Sequence, residues 1–92
     1  MELLNKEARD AFVAEHPDWD IDDETLRRTF EHESFAAAVG FVAAVGVLAE
    51  KAFHHPDIDI RYTKVSIALT THDAGGLTSN DTELARQIEA LR

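Results

Sequence analysis

The sequence predicts a single α+β domain over residues 1–92, in which an antiparallel sheet carries about three helices on one face. Two observations support this fold class. Apolar residues recur at helical spacing in three stretches, and they alternate with polar residues in the stretches between them. Strands that are apolar on one side only are typical of an antiparallel sheet with one face covered by helices and the other in water.

Composition narrows the classes of function. The chain has 92 residues, a net charge of −9 and no cysteine. The negative charge disfavours nucleic acid and anionic membranes as partners, and the lack of cysteine excludes disulfides and thiolate chemistry. The longest mostly apolar run, Phe35–Ala49, is shorter than the ~20 residues that span a bilayer, and the N-terminal residues lack the features of a signal peptide. We expect a cytoplasmic protein whose small core gains stability from oligomerisation.

The first third of the chain predicts a helix, an acidic turn and a strand. Leu3–Glu15 has the apolar spacing of a short amphipathic helix, which ends at Pro17. Asp18–Glu24 contains five carboxylates and is interpreted as a solvated turn. Trp19 lies among them, either as a cap on the core or as a wall on which a planar ligand stacks. Leu26–His32 alternates as a strand does, with His32 near the edge of the sheet or partly buried.

A long apolar helix is predicted next. Ser34 is a typical N-cap, and the alanine-rich segment that starts at Phe35 is apolar nearly all round, which indicates a buried helix lying across the sheet. Gly40 and Gly46 each lower helix propensity by roughly 1 kcal/mol. We expect them to allow close backbone approach, either to the sheet or to a partner subunit.

The last third predicts two strands, a turn and a helix. Alternation indicates strands over Asp57–Tyr62 and Lys64–Thr70, and Asp73–Gly76 is a turn. Thr78 and Asp81 have the spacing of a capping box, so Asp81 is expected chiefly to cap the last helix and secondarily to contact a ligand. The inward residues of the second strand are Val65, Ile67 and Leu69. The apolar stripe of the last helix is Leu84, Ala85, Ile88 and Leu91.

Three of the five histidines fall between Glu50 and His72. Pro56 disfavours the helical conformation at His55, so we expect the long helix to end there with His54 in its last turn. Glu50 lies four residues before His54, on the same helix face, and is expected to accept a hydrogen bond from its ring. A carboxylate and a helix C-terminus both favour the imidazolium, which suits a general acid. His72 would lie on the polar face of the second strand if that strand continues so far.

The histidines alone leave three interpretations open. They ligate a metal, they act as acid, base and hydrogen-bonding groups around an organic substrate, or they are structural. Zinc sites are built from three histidines, but this chain has no histidine pair at the i, i+4 spacing of helical ligands. The residue pattern favours the second interpretation.

The segment that begins at Glu50 resembles the signature of the pterin-4a-carbinolamine dehydratase (4a-hydroxytetrahydrobiopterin dehydratase) family. The family pattern is Glu, three residues, His-His-Pro, five residues, Tyr, nine residues and His. Here these positions are Glu50, His54–Pro56, Tyr62 and His72, and G-G-L-T-x-x-D follows. The resemblance extends upstream to Trp19 and covers most of the chain.

Two positions depart from the family pattern. His32 stands where the family often has a second aromatic residue, which affects strand packing. Phe53 stands where the family often has Asp or Asn, which removes a polar group next to the histidine pair.

The resemblance implies a four-stranded antiparallel sheet and a homodimer or homotetramer. It implies dehydration of 4a-hydroxytetrahydrobiopterin to quinonoid dihydropterin, which recycles the cofactor of the aromatic amino acid hydroxylases, with no metal or cofactor of its own. We expect His54 to act as acid on the 4a-hydroxyl. The alternative is a non-catalytic pterin-binding or molybdopterin-related protein of the same fold. The residues expected to be catalytic are His54, His55, His72 and Glu50. Those expected to contact the pterin substrate are Trp19, Thr71 and Asp81.

Overall fold

The computed structural model describes residues Met1–Arg92 as three α-helices and one four-stranded antiparallel sheet. The elements in chain order are α1 (Lys6–Glu15), β1 (Asp20–Asp22), β2 (Thr25–Glu31), α2 (Phe35–Ala52), β3 (Asp57–Arg61), β4 (Lys64–Leu69) and α3 (Ser79–Glu89). A single 3-10 turn, His72–Ala74, lies between β4 and α3. The sheet order is β1-β2-β4-β3. The predicted α+β fold class is confirmed.

The β2–β4 pair forms the centre of the sheet. Leu26 pairs with Leu69, and Phe30 pairs with Val65, so these side chains share one face of the sheet. All four are buried and belong to one apolar core that also receives residues from the three helices. The opposite face carries polar side chains, which include Arg27 on β2. The helical residues of this core are Phe12, Ala38, Phe41, Val45, Ala49, Leu84, Ala85 and Ile88.

The prediction of a solvated turn over the acidic segment Asp18–Glu24 is incomplete, because part of this segment is a strand. It contains β1, in which Asp20 lies opposite Arg27 and Ile21 lies opposite Leu26. Ile21 also packs against the core. The strand has only three residues, too few for an alternating pattern to show, and its stability comes from pairing with β2 rather than from its own propensity.

The start of α2 follows the prediction, but its burial does not. The hydroxyl of Ser34 accepts a hydrogen bond from the backbone N–H of Ala37 (3.0 Å), as an N-cap does. Only one side of the helix faces the core, however. A Cβ at Gly40 or Gly46 would meet no atom within 4 Å, so close approach to the sheet explains neither glycine. The large apolar residues exposed along the helix are Phe35, Val39 and Val47.

By length and composition alone, α2 could cross a membrane, since its 18 residues have a mean hydropathy of 1.7. The helix Phe35–Ala52 extends beyond the apolar run Phe35–Ala49 that was identified in the sequence. The core helix of a water-soluble protein passes the same test, and α2 contributes four residues to the core.

Glu24 ties the β1–β2 turn to the segment that follows β4. Its Oε1 accepts hydrogen bonds from Arg9 Nη2 (2.5 Å) and from the backbone N–H of Leu77 (3.0 Å). The hydroxyl of Thr70 donates to the backbone carbonyl of Glu24 (2.6 Å). A Cβ at Gly76 would lie 2.0 Å from Glu24 Oε1, so only glycine fits without displacing the carboxylate. This clamp fixes the path of the chain after the 3-10 turn.

The hydrogen bond from Arg9, followed by that from the Leu77 N–H, lowers the pKa of Glu24 below its ordinary value of 4.5. A carboxyl with a lowered pKa in the folded state stabilises the fold above its unfolded pKa, and this stabilisation is lost as the pH falls through the folded pKa. We therefore expect Glu24→Gln to lower the midpoint of thermal unfolding near neutral pH and to reduce the further loss on acidification to about pH 3.

Glu33→Gln is the matched control, since Glu33 is exposed and makes no hydrogen bond or ion pair. It should retain the wild-type acid sensitivity. If the unfolding midpoint of Glu24→Gln depends on pH as steeply as that of the wild type, the lowered pKa of Glu24 is not a source of the acid sensitivity.

Candidate active site

A buried hydrogen-bond network joins the start of α3, the chain after β4 and the chain after α2. Asp81 is 0% exposed, and its Oδ1 accepts from the Nε2–H of His54 (2.5 Å). Its Oδ2 accepts from the hydroxyl of Thr71 (2.8 Å) and from the backbone N–H of Thr78 (2.9 Å). The hydroxyls of Thr71 and Thr78 are 2.9 Å apart. One carboxylate therefore satisfies three donors from three parts of the chain.

The capping box predicted for α3 is confirmed. Thr78 is the N-cap, and Asp81, three residues later, bonds back to its N–H. The prediction that Asp81 and Thr71 contact the substrate directly is not supported, because both side chains are buried. Among the partners of Asp81, His54 is the most exposed, since its side chain is 11% exposed.

The end of α2 differs from the prediction. The helix ends at Ala52, and Phe53 takes the left-handed conformation (φ 51°, ψ 39°). The N–H of Phe53 donates to the carbonyl of Glu50 (3.3 Å), and that of His54 donates to the carbonyl of Ala49 (3.1 Å). This is a Schellman motif, which reverses the chain before Pro56 is reached. His54 therefore lies beyond the helix and not in its last turn.

The partner of Glu50 also differs from the prediction. Glu50 Oε1 lies 3.1 Å from the Nε2 of His55, and not beside His54. The left-handed residue turns His54 inward towards α3 and leaves His55 beside the last turn of α2. The side chains of His55 and Glu50 are 66% and 80% exposed. This pair contributes little to stability, but it sets an imidazole and a carboxylate side by side in water.

His72 does not lie on a strand. β4 ends at Leu69, and a bridge between Thr71 and Gly76 closes the chain into the 3-10 turn that His72 begins. The side chain of His72 is exposed. It lines a groove on the open face of the sheet, next in sequence to Thr71 of the buried network.

Trp19 lies in the core. It is 1% exposed, its ring packs edge-on against Phe12 and Phe30, and its Nε1–H donates to Glu89 Oε1 (2.7 Å). Of the two interpretations of this residue, the core role is correct and the stacking wall is wrong. His32 is also outside the candidate site, with its ring packed against Phe41 (4.7 Å between centroids).

The three histidines provide two kinds of imidazole. His54 is held in one orientation by a buried carboxylate, whereas His55 and His72 are open to solvent. Imidazoles transfer protons near neutral pH, so the arrangement suits acid–base chemistry on an organic molecule. No three histidine, aspartate or glutamate side chains are placed so that they could hold a metal ion.

The His54–Asp81 pair was missed by sequence reasoning, since 27 residues separate its members. The signal available was the adjacency of His54 and His55. Two neighbouring side chains beyond a helix end diverge, so one of them had to meet another element.

Comparison with known proteins points to a single family. The family model described as pterin 4 alpha carbinolamine dehydratase matches residues 2–91. A provisionally named pterin-4-alpha-carbinolamine dehydratase of Prochlorococcus marinus is 46% identical over 89 residues, which are 97% of this chain and 94% of that one. The protein of Chloroflexus aurantiacus with the same provisional name is 53% identical over 79 residues, 86% of this chain and 85% of that one.

Two solved structures are similar. A transcriptional coactivator/pterin dehydratase from Brucella melitensis superposes with a TM-score of 0.92 at 30% identity and covers 98% of both chains. A pterin dehydratase-like protein identified as a RuBisCO assembly factor in the alpha-carboxysome has a TM-score of 0.65 at 26% identity, over 79% of this chain and 84% of that one.

We expect Asp81→Ala to destabilise the fold by about 2–3 kcal/mol, because it removes a helix cap and leaves buried donors without an acceptor. The measurement is urea unfolding followed by circular dichroism. Glu83→Ala, which removes an exposed carboxylate from the same helix, is the control and should change the free energy of unfolding by less than about 0.5 kcal/mol. Equal effects of the two substitutions would contradict the role given to Asp81.

Proposed function

The chain belongs to the pterin-4a-carbinolamine dehydratase family, and on this basis we propose that it removes water from a 4a-hydroxytetrahydropterin. The product is quinonoid dihydropterin, and the reaction recycles the cofactor of aromatic amino acid hydroxylases. The observation that carries the proposal is the exposed His55–Glu50 pair beside an imidazole fixed by Asp81.

The reaction requires two proton transfers. The 4a-hydroxyl becomes a good leaving group when it is protonated, and the C4a–O bond then breaks to release water. Loss of the proton on N5 allows its electron pair to form the C4a=N5 double bond. One proton is supplied and one is removed, so the site needs an acid and a base but no net proton.

We assign the acid to His55. Glu50 contacts its Nε2, and both groups are open to water, so the imidazole recovers its proton from solvent after each turnover. The sequence favours His54 as the acid, but that expectation depends on a contact between Glu50 and His54 that the structure does not contain.

We assign the base to His54. Its Nε2–H is bound by the Asp81 carboxylate, so Nδ1 carries the lone pair and is the ring nitrogen available to accept the N5 proton. A carboxylate that holds an imidazole in one tautomer and orientation is a recurrent device in acid–base catalysis. His72, exposed beside Thr71, binds the polar edge of the pterin and shares in the proton transfers.

The second candidate function is pterin binding without catalysis, including a molybdopterin-related role. The same histidines would hold the ring. The similarity to a RuBisCO assembly factor favours a role without catalysis, since a protein of this fold serves in assembly. Measured turnover separates the two functions, because a binding protein would take up pterin without accelerating its dehydration.

We expect His55→Gln and His54→Gln each to lower kcat by about 10²–10⁴-fold, since each removes one of the two proton-transfer groups. Glu50→Gln should have a smaller effect, because it removes only the partner of the acid. The assay is the dehydration of enzymatically generated 4a-hydroxytetrahydropterin, followed by absorbance. His16→Gln, at the end of α1, is the control and should retain wild-type turnover. Full activity in both His54→Gln and His55→Gln would disprove the assignment.

We also propose that the chain forms a homodimer or homotetramer through the exposed side of α2. Three large apolar side chains of this helix are exposed, and its two glycines leave open space where another backbone would fit. All residues of the edge strand β3 are exposed as well, and its outer edge is free to pair. Monomeric proteins rarely expose contiguous apolar surface of this kind.

We expect a mass in solution of two or four times 10.2 kDa by analytical ultracentrifugation. The double substitution Val39→Glu and Val47→Glu should shift the protein towards the monomer, because it places charges in the apolar contact. Ala14→Glu, on the exposed side of α1, is the control for added charge and should leave the mass unchanged. A wild-type protein that sediments as a monomer would contradict the proposal.

A further inference from the structure

Phe53 is exposed to an unusual degree. The residue is 88% exposed, the highest value among the large apolar residues of the chain. It makes no contribution to the core, yet it sits at the point where α2 ends and the histidine pair begins.

The backbone of Phe53 is in a conformation that bulky residues rarely adopt. Its φ of 51° and ψ of 39° lie in the left-handed region, where the Cβ of an L-residue meets steric crowding. Helices that end in this way usually have glycine at this position, and sometimes asparagine. The hydrogen bonds of the Schellman motif require the backbone conformation and not the ring. The chain therefore keeps a strained residue whose side chain does not stabilise the fold. This indicates that the side chain contacts another molecule.

The position of Phe53 indicates what that use is. Its N–H donates to the carbonyl of Glu50, and it directly precedes His54 and His55. The other exposed aromatic residues lie elsewhere. Phe35 is at the opposite end of α2, about 27 Å away along the helix axis, and Tyr62 is in the β3–β4 turn.

The pterin substrate presents two kinds of surface to a protein. Its edges carry nitrogen and oxygen atoms that hydrogen-bond to imidazoles. One face carries the 4a-hydroxyl, and the opposite face has no polar group and needs an apolar or aromatic contact. The histidines supply the edge contacts. Trp19, the aromatic residue expected to supply the face contact, is buried in the core and cannot do so.

We propose that Phe53 is a substrate-binding residue whose ring stacks on the face of the pterin. This inference rests on the proposed function, and it assigns to Phe53 the contact that the sequence suggests for Trp19. A substrate-binding residue of this kind acts on affinity more than on chemistry, since the ring takes no part in the proton transfers.

The test compares Phe53→Asn and Phe53→Tyr with the wild type in the full-length protein. Asparagine tolerates the left-handed conformation, so the midpoint of thermal unfolding should stay the same or rise by a few degrees. Affinity for 7,8-dihydrobiopterin, measured by calorimetry, should fall by about fivefold, and KM should rise by a similar factor while kcat changes by less than about twofold. Phe53→Tyr keeps a ring and should keep wild-type affinity.

Tyr62→Asn is the matched control. Tyr62 is the other exposed aromatic residue at positive φ (54°), so the substitution makes the same backbone and side-chain change away from the histidines. It should leave affinity and KM unchanged.

The outcomes separate the two proposals. A wild type that binds and dehydrates the pterin, with Phe53→Asn equal to it in affinity, would overturn the stacking contact alone. The stacking contact is also overturned if Tyr62→Asn weakens binding equally, or if Phe53→Asn changes the mass in solution instead of the affinity, because the ring would then serve a subunit contact. A wild type that binds no pterin would overturn the proposed function and the stacking contact with it.

Discussion

The carboxylate of Asp81 is the group on which the candidate site depends. It lies fully buried, where an unpaired charge would be strongly destabilising, and it is tolerated because three donors surround it. Those donors come from the start of α3, from the segment after β4 and from the segment after α2. The residue that completes the capping box of the last helix therefore also sets the orientation of His54. The N-terminal cap of α3 and the orientation of His54 therefore depend on the same carboxylate.

Two adjacent histidines acquire different environments through a single backbone conformation. The left-handed residue at the end of α2 directs His54 towards the interior and leaves His55 beside Glu50 at the surface. One imidazole is held by a buried carboxylate and the other exchanges freely with water. A reaction that takes a proton at one atom and gives a proton at another needs two such groups close together but not equivalent.

Local patterns predicted part of this structure. Alternation located the inward residues of β4, and the spacing of Thr78 and Asp81 identified the capping box, because both signals lie within a few residues. β1 was missed because pairing with β2 stabilises it. The predicted partner of His54 was wrong for two reasons: its true partner is distant in the sequence, and Pro56 suggested a helix end two residues too late. The left-handed conformation at Phe53 could not be predicted, because that conformation is usually associated with glycine.

The contact between Glu24 and Gly76 links the β1–β2 turn to the segment between β4 and α3, about fifty residues further along the chain. The carboxylate occupies the space that a side chain at position 76 would need, so a side chain there requires Glu24 to move or to be replaced by a shorter residue. A transplanted loop that brings a side chain to position 76 would therefore also need a shorter residue at position 24, whereas a loop that changes only position 24 would need no partner change. In a set of natural sequences the two positions should covary, and a shorter residue at 24 would accompany any side chain at 76.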